Sequence, residues 1–256
     1  MIDPAFRARA EAALAAVERA EGVRVLLAVE SGSRAWGFAS RDSDYDVRFV
    51  FLRPLADYLS VVPARDVVER PLDALLDLGG WDARKALGLL ARGNAVALEW
   101  LGSPVVYRED PAAVELLRGV ARVAAHPPAL AYHYDRLARH AWQAGEEEVR
   151  LKSYFYALRP ALALRWLRER GTPPPMDLPG LLAGVAVPGE VVAAVEALRQ
   201  TKAAATEADA VSRQVPLDRF LGETLAVPAP RPPAWDTASA LAAADAAFRG
   251  LVLPHG

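Results

Sequence analysis

Gly32-Ser33, followed after ten residues by Asp44-Tyr45-Asp46, is the part of this 256-residue chain whose residue types and spacing can do chemistry. A glycine and a serine at a strand-to-helix turn offer backbone N–H groups and a hydroxyl to an anion, helped by the positive end of the helix dipole. That combination makes a phosphate cradle. Two aspartates at alternate positions of one strand stand roughly 7 Å apart along the backbone, near enough for their carboxylates to share hard divalent cations. Like charges held together without a cation repel one another. Two-metal phosphoryl transfer needs such carboxylates, because one ion activates an attacking oxygen while another clamps the triphosphate and the leaving oxygen. Cradle and clamp fit one reaction.

The elements that must position these residues follow from periodicity and punctuation. Asp3-Pro4 is an N-cap with a first-turn proline, and the alanine-rich run to Ala20 before Gly22 reads as a helix ended by glycine. Val23 to Val29 is a short apolar run bounded by Gly22 and Ser31-Gly32, as expected of a buried strand entering a tight turn. Arg34 to Phe38 has room for only a short helix. From Asp44 the chain alternates: Asp44, Asp46, Arg48 and Val50 share one strand face, and Tyr45, Val47, Phe49 and Phe51 the other. The apolar face should be buried, leaving two carboxylates and an arginine together on the opposite side. Asp66 to Arg70 and Ala74 to Leu78 read as two further strands around Pro71, and Asp82 as the cap of a helix ending near Arg92-Gly93. After Tyr107 strand signals disappear and helices are expected over 111–123, 129–144, 146–169, 190–202 and 237–249, with proline-rich breaks at 172–175 and 228–233.

Composition narrows the classes. A formal charge of −2 gives no global basic footprint, so any polyanion must be held by a local patch. Cysteine is absent, which excludes disulfides, thiolate zinc sites and a cysteine nucleophile. No apolar stretch reaches the roughly 18 to 20 residues that span a bilayer, so the expectation is a cytoplasmic protein with no membrane partner.

The string Glu30-Ser-Gly-Ser-Arg-Ala-Trp-Gly-Phe38 followed by Asp42-Ser-Asp-Tyr-Asp-Val-Arg48 resembles the predicted bacterial nucleotidyltransferases associated with RNA ligases, the YcgL-like group of the DNA polymerase beta-like superfamily. Gly80-Trp-Asp82, Lys85-Ala-Leu87, Glu99 to Pro104 and Lys152 through Tyr156 to Arg159-Pro160 extend the resemblance, which covers roughly residues 23 to 185. It implies that Gly32 and Ser33 bind nucleotide phosphates and that Asp44 and Asp46 bind magnesium or manganese. It also implies a third carboxylate on a neighbouring strand, for which Asp77 ranks first, then Asp73, then Glu69. Lys152, Tyr156 and Arg159 recur on one helical face, and comparable residues of related two-domain transferases contact triphosphate and base. Arg34 and Trp36 flank the cradle, as contacts for phosphate and base respectively. Arg48 shares the acidic face, either neutralising the carboxylates or touching a phosphate.

Plainer readings stand beside these. Arg48 can be purely structural, and Lys152, Tyr156 and Arg159 can be an amphipathic face whose tyrosine fills a seam. Two histidines, His133 and His140, lack a matched acid and read as packing or surface. Glu146 to Glu148 reads as a solvated helix start, and Trp81, Trp100 and the aliphatic residues of 158–167 as core. The expected fold is α+β: a small mixed sheet with helices over residues 1–108, then an all-helical domain over 109–256. The expected activity is metal-dependent transfer of a nucleoside monophosphate from a nucleoside triphosphate to a hydroxyl, with an RNA end as acceptor and an RNA ligase as pathway partner. The alternatives are a small-molecule or protein hydroxyl acceptor, or a catalytically silent nucleotide-binding module.

Overall fold

A computed structural model describes residues 2–71, 75–142, 148–204 and 209–253. In chain order its elements are α1 (Pro4–Glu21), β1 (Arg24–Glu30), α2 (Ser33–Trp36), β2 (Tyr45–Leu52), α3 (Leu55–Tyr58), β3 (Val67–Pro71), β4 (Leu76–Asp82), α4 (Ala83–Ala91), α5 (Ala95–Leu101), β5 (Val106–Glu109), α6 (Pro111–Ala124), α7 (Pro127–Ala141), β6 (Glu148–Arg150), α8 (Leu151–Arg170), α9 (Leu178–Gly184), α10 (Gly189–Ala204), β7 (Ala210–Ser212), α11 (Val215–Ala226) and α12 (Ala238–Val252). The fold is α+β, as expected. Among the described residues no helix is long and apolar enough to cross a membrane.

The chain forms two compact units. The first comprises 1–32, 44–125 and 236–256, and the second 33–43 and 126–235. In the first, a five-stranded sheet runs β3-β4-β2-β1-β5, with β2 parallel to β4 and the other three pairs antiparallel. The alternation from residue 44 explains how β2 is used. Val47, Phe49 and Phe51 pack with Phe6, Ala10, Leu14 and Val17 of α1 on one sheet face. Val50 and Leu52 meet α4, α5, α6 and α12 on the other. Burial of apolar area on both faces fixes the strand's register, because a one-residue slip would exchange the two faces.

Local signals operate as read. Asp3 caps α1 by accepting from the Ala5 N–H, and Gly22 closes it at φ 63°. Asp82 caps α4 by accepting from the Arg84 N–H. Gly80, opposite Phe49 across β2 and β4, has no room for a side chain: a β-carbon there would lie 2.3 Å from the Phe49 ring.

Two expectations are corrected. Strand structure continues past Tyr107, in β5 to Glu109 and in the β6–β7 ribbon, whose three-residue strands are too short to show a period. The helix expected from 146 begins at Leu151, and Glu148 stands in β6; Glu146 and Glu147 lie outside the described residues. Beyond these, α3, α5, α9 and α11 are short helices that the sequence reading passed over.

In the second unit α8 is the central helix. Tyr154, Phe155, Leu158, Leu162 and Leu164 are each fully buried. The segment 33–43 packs into this unit: Phe38 stacks on Phe155 with ring centroids 4.7 Å apart, and Arg199 donates from Nε to the Gly37 carbonyl at 3.0 Å.

Candidate active site

The first unit brings Gly32, Asp46, Arg48 and Asp77 together. Asp46 and Asp77 are register partners on the parallel strands β2 and β4, so their side chains leave the sheet side by side. Arg48 lies between them: its Nη2 donates to Asp46 Oδ1 at 3.0 Å and to Asp77 Oδ2 at 2.6 Å, while Nη1 reaches the Asp77 carbonyl at 3.2 Å. A guanidinium thus pairs with both carboxylates; strand alternation sets Arg48 beside Asp44 and Asp46, and Asp77 on the neighbouring strand is its second partner. These side chains stay accessible, at 21% for Arg48, 26% for Asp46 and 48% for Asp77, so solvent screens the pairs and each contributes only about 0 to 1 kcal/mol. Gly32 makes the arrangement sterically feasible. A β-carbon on it would fall 1.7 Å from Asp46 Oδ2.

A buried support that the sequence reading passed over lies beneath this edge. Glu30, fully buried at the end of β1, accepts from the Asp46 backbone N–H at 2.8 Å and from the Tyr107 hydroxyl at 2.6 Å. The Ser103 hydroxyl donates to the Glu30 carbonyl at 2.7 Å, and the Ser31 N–H to the Asp46 carbonyl at 2.9 Å. Burial and the adjacent Glu30 carboxylate hold the Tyr107 phenol well above its ordinary pKa, so it stays protonated and donates. The signal available was an acid closing an otherwise apolar strand; its partner tyrosine is 77 residues away in sequence.

The other predicted residues divide as follows. Asp44 stands exposed one residue ahead of β2 rather than within it. Asp73 lies outside the described residues, and Glu69, on β3, pairs with Arg65 at 2.8 Å. Among the described residues no group of three or more acids or histidines is close enough to hold a metal ion. The expected trio of Asp44, Asp46 and Asp77 is therefore drawn together only in its Asp46 and Asp77 members. Those two still suit a hard divalent ion in their chemistry: both are carboxylates, they face one another across adjacent strands, and they already share a cation in Arg48.

The second unit gathers the other set. Ser33 opens α2 and is buried. Arg34 donates to the Ser43 carbonyl at 2.5 Å, while the Ser40 and Ser43 hydroxyls lie 2.8 Å apart and hold the turn closed. Lys152, Tyr156 and Arg159 do lie along one helix, α8. Arg159, only 5% exposed, rests its guanidinium 4.2 Å from the Trp36 ring centroid. Tyr156 meets the same indole edge-on at 5.5 Å, and the Lys152 ammonium lies 5.3 Å from the Tyr156 ring. Lys152 and Tyr156 line a cavity of about 540 Å³ with His140, Arg150 and Ser153. Trp81 and Trp100 stack on each other at 3.8 Å against the core of the first unit, as expected of core residues.

Comparison with known proteins accords with this picture. The chain is 42% identical over 207 residues to the uncharacterized protein YcgL of Bacillus subtilis (strain 168), covering 80% of each chain. Residues 6–249 match the family described as the RNA repair pathway DNA polymerase beta family. A match over that span makes this protein a member of the RNA repair pathway DNA polymerase beta family.

Proposed function

We propose that this protein transfers a nucleoside monophosphate from a nucleoside triphosphate to the hydroxyl of an RNA end, with pyrophosphate as the leaving group. The observation that carries the reading is the convergence of Asp46 and Asp77 on one shared cation beside a glycine that leaves room for the Asp46 carboxylate. Magnesium or manganese, held by Asp46 and Asp77 and joined by Asp44 from just ahead of β2, would supply charge neutralisation for the triphosphate and acidify the attacking hydroxyl. Gly32, Ser33 and Arg34 bind phosphate oxygens in this reading, and Arg48 exchanges a carboxylate for a phosphate, a partner of the same geometry. Asp77 orients the acceptor hydroxyl, which its greater exposure supports. Lys152 and Arg159 take triphosphate charge, and Tyr156 stacks on the base. The family name, which places its members in an RNA repair pathway, supports an RNA acceptor, and an RNA ligase is the pathway partner in this reading.

Incubation with α-labelled nucleoside triphosphates, magnesium or manganese, and a panel of RNA ends, aminoglycosides and the protein alone tests the reading. Label should appear on RNA and vanish in Asp46→Asn and Asp44→Ala. Label that survives both substitutions refutes it. A second reading, a silent nucleotide-binding module, is favoured by one observation: Arg48 already relieves the carboxylate repulsion without a metal. Nucleotide binding with no transfer to any acceptor would select it.

A further inference from the structure

At the opposite end of β2 and β4 from Asp46 and Asp77, the first unit carries a cleft of about 570 Å³. Arg53 follows β2 and Asp82 ends β4; seven strand residues place Arg53 about 23 Å from Asp46. The cleft is a separate feature. Its walls include five basic residues, Arg53, Arg65, Arg84, Lys85 and Arg92, against the acids Asp57, Asp66 and Asp82. Two of those acids are occupied: Asp82 accepts from the Tyr58 hydroxyl at 2.9 Å and from the Arg84 N–H, and Asp66 pairs with Lys85.

Arg84 and Arg92 are what remain. Spaced eight residues apart along α4 and its C-cap, their backbones lie about 12 Å apart along the helix axis, with Gly88 midway between them. The Arg92 side chain folds back along the helix over Gly88, donating from Nη1 to the Gly88 carbonyl at 2.8 Å, and a second cavity of about 490 Å³ lies beyond it. Among the described residues neither arginine has a carboxylate within salt-bridge distance, whereas Arg24, Arg122 and Arg249 elsewhere on the surface meet Asp110, Glu115 and Asp245. Arg84 is also held in place: its guanidinium lies 4.8 Å from the Tyr58 ring and 5.3 Å from the Phe248 ring of α12. Stacking orients the fork, whose Nη2 also donates to the Tyr58 carbonyl at 3.5 Å, and its remaining N–H groups face the cleft. Beside the cleft, Leu59, Val61 and Val62 are 75%, 100% and 77% exposed.

The geometry points to a binding site for single-stranded nucleic acid here, with Arg84 and Arg92 contacting successive phosphodiesters and the Leu59 to Val62 loop touching unstacked bases. Arginines preset on an aromatic shelf suit phosphate oxygens, and exposed aliphatic groups beside them suit bases that a duplex would hide. The overall charge of −2 requires such a local patch for any polyanion to bind. The site is independent of the transfer chemistry.

The test is fluorescence anisotropy of a labelled 12-nucleotide oligouridylate over a series of salt concentrations, with the full chain. Arg84→Ala/Arg92→Ala should weaken binding about tenfold or more and reduce the slope of log K against log salt by about 1.4, two phosphate contacts on a single strand. Arg84→Lys/Arg92→Lys should keep the slope. Arg92→Ala alone, at an exposed residue outside the aromatic stack, should lower the slope by about half as much and serves if the double variant misfolds. Unchanged binding by Arg84→Ala/Arg92→Ala overturns the proposal. So does displacement of the oligonucleotide by free triphosphate at equal phosphate concentration, or preference for a duplex.

Discussion

The Asp46 carboxylate occupies the space that a side chain at residue 32 would need: a β-carbon on Gly32 would lie 1.7 Å from Asp46 Oδ2. The glycine of the glycine-serine pair is thus required by the second aspartate, thirteen residues beyond the serine. Gly32→Ala should move that carboxylate by about an ångström and reduce nucleotidyl transfer about 100-fold. Label transfer alongside urea denaturation checks this. Full activity would show that the close approach is not needed for the chemistry.

Arg48 should act as the resident cation of the Asp46 and Asp77 pair. Its removal in Arg48→Ala leaves two carboxylates facing each other and should cost about 1 kcal/mol, since all three groups are partly exposed. Magnesium should then raise the thermal midpoint of Arg48→Ala more than that of the unsubstituted chain, by binding the folded state. The gain should disappear in Arg48→Ala/Asp46→Asn. An equal magnesium effect in all three proteins would place the ion elsewhere.

Tyr107→Phe removes the 2.6 Å donor to a fully buried carboxylate, that of Glu30. The expected cost is about 1 to 3 kcal/mol, read from chemical denaturation. Because Glu30 also accepts from the Asp46 N–H, transfer should fall as well. A stable Tyr107→Phe chain with full activity would remove Glu30 from the support of the site.

Lys152 and Arg159 should separate in their effects. Arg159 is buried against Trp36, so Arg159→Lys should lower stability by about 1 kcal/mol through loss of the stacked fork. Lys152 lines an open cavity, and Lys152→Met should raise the KM for nucleoside triphosphate about tenfold at unchanged thermal midpoint, as loss of one charge-assisted contact of about 1.4 kcal/mol would do. An unchanged KM assigns Lys152 to packing alone.

Alkaline stability should depend on Tyr154. Its hydroxyl donates to Asp218 at 2.7 Å and accepts from the Gln214 N–H at 2.8 Å. Burial pushes its pKa from 10.0 up to about 12. The folded state therefore keeps a proton that the unfolded chain loses, so this contribution is whole below pH 10 and lost as pH rises toward 12. Denaturation midpoints across that window should fall more steeply for the unsubstituted chain than for Tyr154→Phe.

What the sequence by itself determined is what short-range physics encodes. Caps and glycines bounded α1 and α4, and the alternation from residue 44 assigned Asp46 and Arg48 to one face of β2 and Phe49 and Phe51 to the other. Helical spacing likewise gathered Lys152, Tyr156 and Arg159 along α8. Tertiary structure alone decided that Asp77 stands opposite Asp46, because the register of two parallel strands depends on the crossover and packing between them rather than on either strand's pattern. It also decided that Glu30 meets Tyr107, that residues 33–43 pack with α8, and that α12 brings Phe248 beneath Arg84. Those contacts join segments tens of residues or more apart, and no local period records which buried faces will meet.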